Sequence, residues 1–120
     1  MKLTKGKLHL SESELIDMYV PMSKLIVQML EQYLTTLKID RPDNIDWVKD
    51  VEEMIYSFKH IDHHWFDGKF EYFLELDMID WIKIRDYPLY DEYKIYRDKG
   101  VERVNNGLML FAKNIRRFWL

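Results

Sequence analysis

The chain has 120 residues, of which 48% are hydrophobic and 32% charged, and its formal net charge is −3. This composition is too apolar for a disordered chain and too charged for a membrane protein, and the length suits one domain. The sequence contains no cysteine, which excludes disulfides and cysteine-based catalytic or metal sites. Because no apolar run has the length of a membrane span or follows a basic segment as in a signal peptide, we expect a cytoplasmic protein.

Charge is distributed unevenly along the chain. Residues 1–10 carry a net charge of +3, residues 11–80 carry −10 and residues 81–120 carry +4. Either the acidic centre attracts a basic partner, or its acids pair with bases of the same chain. Interspersed charges on helical proteins favour the second interpretation.

A short basic arm precedes the predicted helices. Residues 1–10 alternate weakly between apolar and polar types and form either a small strand or a mobile arm. We expect a single helical domain over residues 11–120. It starts at Ser11, since Glu14 follows three residues later, which is the spacing of a capping box.

The first long helix combines an apolar row with a proline. Because Pro21 lacks an N–H group and clashes with the preceding turn, we expect a kink or break at Tyr19–Val20, with the helix resuming through Leu37. The row recurs at spacings of three and four residues and predicts one apolar helical face. Its members are Leu15, Met18, Met22, Leu25 and Met29.

A second helix follows the loop around Pro42, with Asp43 or Asn44 as its cap. Its apolar row has the most regular helical spacing in the chain and consists of Trp47, Val51, Met54, Phe58, Ile61 and Trp65. Three further apolar residues, Ile45, Val48 and Ile55, widen this row.

The segment after this helix has two interpretations. Asp67-Gly68 is either a helix end with a left-handed glycine or the turn of a small β-hairpin. Alternation over residues 70–78 favours a strand, whereas the Leu, Glu, Met and Lys content over residues 70–84 favours a helix. We predict the helix.

The last third of the chain predicts two more helices. The residue before Pro88 avoids helical geometry, so a helix stops there and a short helix follows over residues 89–99. Gly100 separates it from a final helix, whose apolar row is Val101, Val104, Leu108, Phe111, Ile115 and Trp119. The predicted fold is an all-α, compact, bundle-like single domain of four to five helices, with the hairpin near Asp67-Gly68 as an option.

A cluster of histidines is the first candidate site. His60 and His64 are one helical turn apart, a spacing that metals use, and with Asp77 and Asp80 they form a candidate divalent-metal site. The zincin motif is absent, because Ile61 stands where that motif has glutamate. A polar helix end is therefore the favoured interpretation, and we expect no cofactor.

The acids define an alternative enzymatic function. Asp77 lies on the most apolar arc of its predicted helix, where an unpaired carboxylate is costly. Together with Glu52, Glu53 and Asp80 it resembles the acid layout by which all-α nucleotide pyrophosphohydrolases hold Mg²⁺. The paired Glu-x-x-Glu and Glu-x-x-Asp spacing of those enzymes is missing, which disfavours this function. A structural role for Asp77 is favoured because structural networks also bury acids.

The basic C-terminal helix is the third candidate. Arg103, Lys113, Arg116 and Arg117 accompany its apolar row and suit a membrane surface, a partner groove or a phosphate. The favoured interpretation is that the row packs in the core and the bases stabilise the negative helix end. We expect no direct contact with nucleic acid or membrane.

These observations predict a binding protein rather than an enzyme. The acidic centre and the surplus of Tyr and Trp suit an inhibitor, immunity protein or adaptor, as in bacterial or phage accessory proteins, with a partner protein that is basic or binds nucleic acid. A homodimer formed through the wide apolar rows is an alternative. The predicted partner contacts are Trp47, Asp50, Glu53, Tyr56, Tyr87, Tyr90, Tyr93 and Tyr96.

Overall fold

The computed structural model describes residues 1–61 and 90–119. In these ranges 76% of the residues are helical, which confirms the predicted all-α fold class. The elements are strands β1 (Lys2–Thr4) and β2 (Lys7–His9), helices α1 (Glu12–Ile16), α2 (Tyr19–Asp40), α3 (Ile45–Lys59) and α4 (Tyr90–Lys113), and a 3₁₀ turn (Ile115–Arg117). The predicted turn at Asp67-Gly68 and the predicted helix over residues 70–84 lie outside the described residues. No helix within the described ranges is both long enough and apolar enough to cross a membrane.

The basic arm forms a hairpin. Strands β1 and β2 pair antiparallel, with Leu3 opposite Leu8 and Thr4 opposite Lys7. The two residues between them, Lys5 and Gly6, have positive φ angles of 53° and 73°. Two successive left-handed residues make the turn that matches the twist of a two-residue hairpin. Of the two interpretations of residues 1–10, the structure therefore shows the strand.

The predicted capping box is present at the start of α1. The Ser11 hydroxyl accepts a hydrogen bond from the Glu14 N–H at 3.2 Å, and the Glu14 carboxylate accepts one from the Ser11 N–H at 3.0 Å. The same carboxylate oxygen lies 2.7 Å from the Met1 amino group. This hydrogen bond to the amino group, followed by that from the Ser11 backbone, lowers the pKa of Glu14 to about 2. Glu14 thereby connects the hairpin to α1.

Glu14→Gln is expected to remove a pH-dependent part of the stability. Because the pKa of Glu14 in the folded chain is below its ordinary value of 4.5, ionised Glu14 stabilises the fold fully above pH 4.5, and this contribution is lost as the pH falls towards 2. Thermal unfolding between pH 2 and 7 should show the variant below wild type at neutral pH and equal to it near pH 2. Glu12→Gln, which changes an exposed acid in the same turn, serves as the control. A difference that is independent of pH would contradict this assignment.

The break near Pro21 lies two residues before the predicted position. Asp17 has φ −115° and ψ 56°, which is not helical, and α2 begins at Tyr19. Pro21 is thus the third residue of α2, where backbone N–H groups have no acceptor within the helix. The predicted kink at Tyr19–Val20 is wrong because a proline in a first turn costs no hydrogen bond.

Helix α3 occupies the centre of the described structure and packs against both α2 and α4. Its predicted row is confirmed for Trp47, Val51, Met54 and Phe58, which are all buried. Asn44 stands at the predicted N-cap position, although its side chain makes no capping hydrogen bond. Three ion pairs link α3 to its neighbours, so three acids of the central region are paired within the chain. The pairs are Glu31–Lys59, Glu52–Lys38 and Glu53–Arg103.

Helix α4 continues through Gly100 without interruption. The predicted separation into two helices is therefore wrong, because an isolated glycine lowers helix stability by only about 1 kcal/mol and does not end a helix by itself. In the predicted row Val104 is buried, and Leu108 and Phe111 pack against the core from partly buried positions.

Helices α3 and α4 approach closely at Gly107. A Cβ atom at Gly107 would overlap the Ser57 hydroxyl and lie 2.7 Å from the Glu53 carbonyl oxygen. Ser57 is fully buried, and its hydroxyl donates to the Arg103 carbonyl at 3.3 Å. The contact therefore requires a residue without a side chain on α4.

The C-terminal segment folds back onto α2 and α3. The Tyr33 hydroxyl accepts a hydrogen bond from the Trp47 indole N–H at 3.0 Å and lies 3.1 Å from the Trp119 carbonyl oxygen, to which it donates. The Phe118 ring packs edge-on against Tyr33, with 5.2 Å between centroids, and lies 5.4 Å from the Trp47 ring. Arg117 places its guanidinium 4.1 Å from the centre of the Trp47 ring. These contacts hold the end of the described chain against the core.

Candidate interaction surface

Two of the predicted partner contacts are core residues. Trp47 is 3% exposed and Tyr93 is fully buried, so the expectation that they are exposed anchors is wrong. Trp47 lies in the core row of α3, and its only polar atom is bonded to Tyr33. A tryptophan or tyrosine has enough apolar surface to stabilise a core strongly once its polar group has a partner.

Glu53 and Tyr56 belong to one cluster with Arg103. The guanidinium donates to the two carboxylate oxygens of Glu53 at 3.0 and 2.9 Å, and it lies 3.5 Å from the centre of the Tyr56 ring. The hydrogen bond to Glu53 raises the pKa of Arg103 above its ordinary value. The His60 ring packs against the Tyr56 ring, with 4.4 Å between centroids and 43° between the ring planes. The charge of Glu53 is thus neutralised within the chain.

The other predicted partner contacts are spread over two helices. Asp50 on α3 is half-buried, and so are Tyr90 and Tyr96 on α4. Tyr87 lies outside the described residues. These positions remain predicted contacts, and none of the three described ones is a fully exposed anchor.

The acids and histidines of the metal alternative are described only in part. His64, Asp77 and Asp80 lie outside the described residues, and His60 packs against Tyr56. Glu52 lies 3.4 Å from the Lys38 ammonium. Within residues 1–61 and 90–119, no three His, Asp or Glu side chains are grouped as metal ligands.

The apolar row of α2 faces solvent. Met18, Met22, Leu25 and Met29, here called the methionine strip, are between 42% and 63% exposed. At about 100° per residue they occupy an arc of roughly 60°, centred about 110° from the core face. That core face consists instead of Ser23, Leu30 and Leu37, with Ile26, Tyr33 and Leu34 partly buried beside them.

An apolar groove continues the methionine strip towards the C-terminal segment. The groove has a volume of about 420 Å³, and Met29, Tyr33, Phe111, Ile115 and Phe118 are among its lining residues. Ile115 is 58% exposed and forms its outer edge. Ile115 belongs to the predicted row of the last helix, but it is not buried because α4 ends at Lys113. Strip and groove therefore form one apolar surface shared by two distant parts of the sequence.

The methionine strip has the composition of an adaptable contact surface. Its four residues expose on the order of 400 Å² of apolar surface, comparable to the largest patch of a typical monomer, which is often functional. Methionine side chains are flexible and polarisable, so they adjust to a partner's shape. The strip contains no charged residue, and its neighbours away from the core, Gln28 and Gln32, are also uncharged.

Comparison with known proteins finds no match for this chain among family models, curated proteins or solved structures. The chemistry of the exposed residues is therefore the basis for assigning a function.

Proposed function

We propose that this chain is a cytoplasmic protein-binding module of the inhibitor, immunity-protein or adaptor type, and that it contacts its partner through the methionine strip. The observation that carries this proposal is the exposure of the strip beside an apolar groove. Exposed apolar side chains in a contiguous row are characteristic of protein contact surfaces. The acidic surface predicted on α3 gives weaker support than the methionine strip, because Glu53 is paired with Arg103.

The proposed occupant is an amphipathic helix of a partner protein. The strip extends about 16 Å along one helix, and its residues are spaced as a ridge that another helix can pack against. A partner charge placed at its centre would lose water without gaining a counter-charge, since the strip and its edge at Gln28 and Gln32 are neutral. The partner helix should therefore present an uncharged apolar row, of the kind that binds in helix-in-groove complexes.

Met22→Glu combined with Met29→Glu is expected to abolish partner binding without unfolding the chain. Met22 is about half exposed and Met29 mostly exposed, so the fold should tolerate polar replacements, whereas two carboxylates in the contact would lose hydration on binding. The measurement is affinity capture from source-cell lysate at low and high salt, followed by binding of the purified captured protein by calorimetry. An apolar contact should persist at high salt, unlike a contact made by the acidic surface.

The matched control is Lys24→Glu combined with Thr35→Glu, which changes exposed positions of the same helix away from the strip and its edge. The control should bind like wild type. The proposal fails if the purified partner binds the strip variant as well as the control, or if no stoichiometric partner is captured. If light scattering shows that the purified chain is a dimer and that the strip variant is a monomer, the occupant is a second copy instead of a partner helix.

A further inference from the structure

A second, polar pocket shares Tyr33 with the apolar groove. It is formed where α2 ends, α3 begins and the C-terminal segment crosses them, and its volume is about 90 Å³. Arg41, Asn44, Trp47, Arg117 and Trp119 line it together with Tyr33. We call it the arginine pocket. It shares no residue with the methionine strip.

The side chains of the arginine pocket include hydrogen-bond donors without acceptors. Among the described residues, no carboxylate lies within ion-pair distance of Arg41 or Arg117. The Arg117 guanidinium lies over the Trp47 ring, 4.1 Å from its centre, and donates one hydrogen bond, of 3.3 Å, to the Asn114 side chain. The Asn44 side chain makes no capping hydrogen bond at the start of α3. Two guanidinium groups and an amide are thus available to one ligand.

Arg103, which has a structural role, differs from the two arginines of the pocket in having a carboxylate partner. Its guanidinium is fully matched by a bidentate carboxylate, Glu53. Asp40 and Asp43, which lie within two residues of Arg41, do not line the arginine pocket, and among the described residues neither forms an ion pair with Arg41. The positive charge of Arg41 and Arg117 is therefore left without a counter-charge in a concave site.

We propose that the arginine pocket binds the oxyanion group of a small molecule, either a carboxylate or a phosphate. The planar donor fork of a guanidinium matches both groups in a bidentate manner. The pocket volume equals that of about three water molecules, which suits such a group but not a larger ligand body. Trp119, a residue that is 67% exposed, borders the pocket and offers a flat ring for the rest of the ligand. This proposal does not depend on the methionine strip.

The test is titration of the full chain with four probes: inorganic phosphate, phenyl phosphate, acetate and benzoate. Binding is followed by the shifts of the tryptophan indole N–H signals in NMR, since Trp47 and Trp119 line the pocket. Ligands of this size should bind with dissociation constants in the millimolar range. The aromatic members should bind more tightly than inorganic phosphate and acetate because they can stack on Trp119. Comparing the phosphates with the carboxylates identifies which oxyanion the pocket prefers.

Arg41→Gln should weaken binding of the preferred probe at least tenfold, because it removes one guanidinium from an exposed position without changing the core. Arg116→Gln is the matched control, since Arg116 is an exposed neighbour of Arg117 that does not line the pocket. Arg116→Gln should bind like wild type, and thermal unfolding should show that both variants are folded. The proposal is overturned if no probe binds below about 10 mM, if Arg41→Gln binds like wild type, or if both variants weaken binding equally.

Discussion

Gly107→Ala is expected to lower the free energy of unfolding by about 3 kcal/mol, at the upper end of overpacking effects. The added methyl group would overlap the Ser57 hydroxyl and lie 2.7 Å from the Glu53 carbonyl oxygen. Alanine normally stabilises a helix relative to glycine by about 1 kcal/mol, so the expected loss runs against helix propensity. The two helices must move apart to accommodate it, which weakens the packing on both sides of Ser57.

Urea denaturation monitored by circular dichroism measures this effect. Asn106→Ala, an exposed change one residue earlier on α4, is the control and should alter stability by less than about 0.5 kcal/mol. Ser57→Gly removes two of the three atoms that crowd the new methyl group. Combined with Gly107→Ala it should cost less than the sum of the two single changes. Additive effects, or a Gly107→Ala variant as stable as wild type, would show that the helices do not meet at this residue.

Tyr33→Phe is expected to cost about 1–3 kcal/mol, which is the cost of leaving a buried polar group without its partner. The substitution preserves the ring and its packing on Phe118 but removes the acceptor of the Trp47 indole N–H. Trp47 is 3% exposed, so little of its indole is open to water that could replace that acceptor. The carbonyl of Trp119 also loses its donor, and the C-terminal segment should detach more easily from the core.

The measurement for Tyr33→Phe combines denaturation with hydrogen exchange of the Trp47 indole N–H, which should become faster in the variant. Tyr19→Phe removes a hydroxyl from the same helix at a position that is 46% exposed, and it should change neither quantity. Equal effects of the two substitutions would mean that the Tyr33 hydroxyl does not bridge Trp47 and the C-terminal segment.

Local sequence rules predict a structural feature correctly where all the residues that form it lie within one helical turn. The capping box of Ser11 and Glu14 needs atoms only three residues apart, and it forms as predicted. The core row of α3 was also predictable, because Trp47, Val51, Met54 and Phe58 make the only strongly apolar face within residues 45–59. Gly100 shows the limit of such rules, since a residue that weakens a helix ends it only if another conformation is favoured.

Helix α2 carries two apolar rows, and sequence periodicity cannot choose between them. The methionine strip and the row of Ile26, Leu30, Tyr33 and Leu37 both have spacings of three and four residues. The second row is in the core because it meets α3, and in particular because Tyr33 can bond Trp47. The first row is left exposed, and it is this choice that creates the candidate interaction surface.

Amino-acid sequence alone thus determined the helical class, the capped start of α1 and the core face of α3, because each depends on residues within a few turns of one helix. Tertiary structure decided which face of α2 is buried, why Gly107 must be glycine and where the two pockets lie. Those features join residues far apart in the chain, such as Glu53 with Gly107 and Tyr33 with Trp119. Pairings of this kind depend on how whole helices pack, and no local pattern encodes the packing partner.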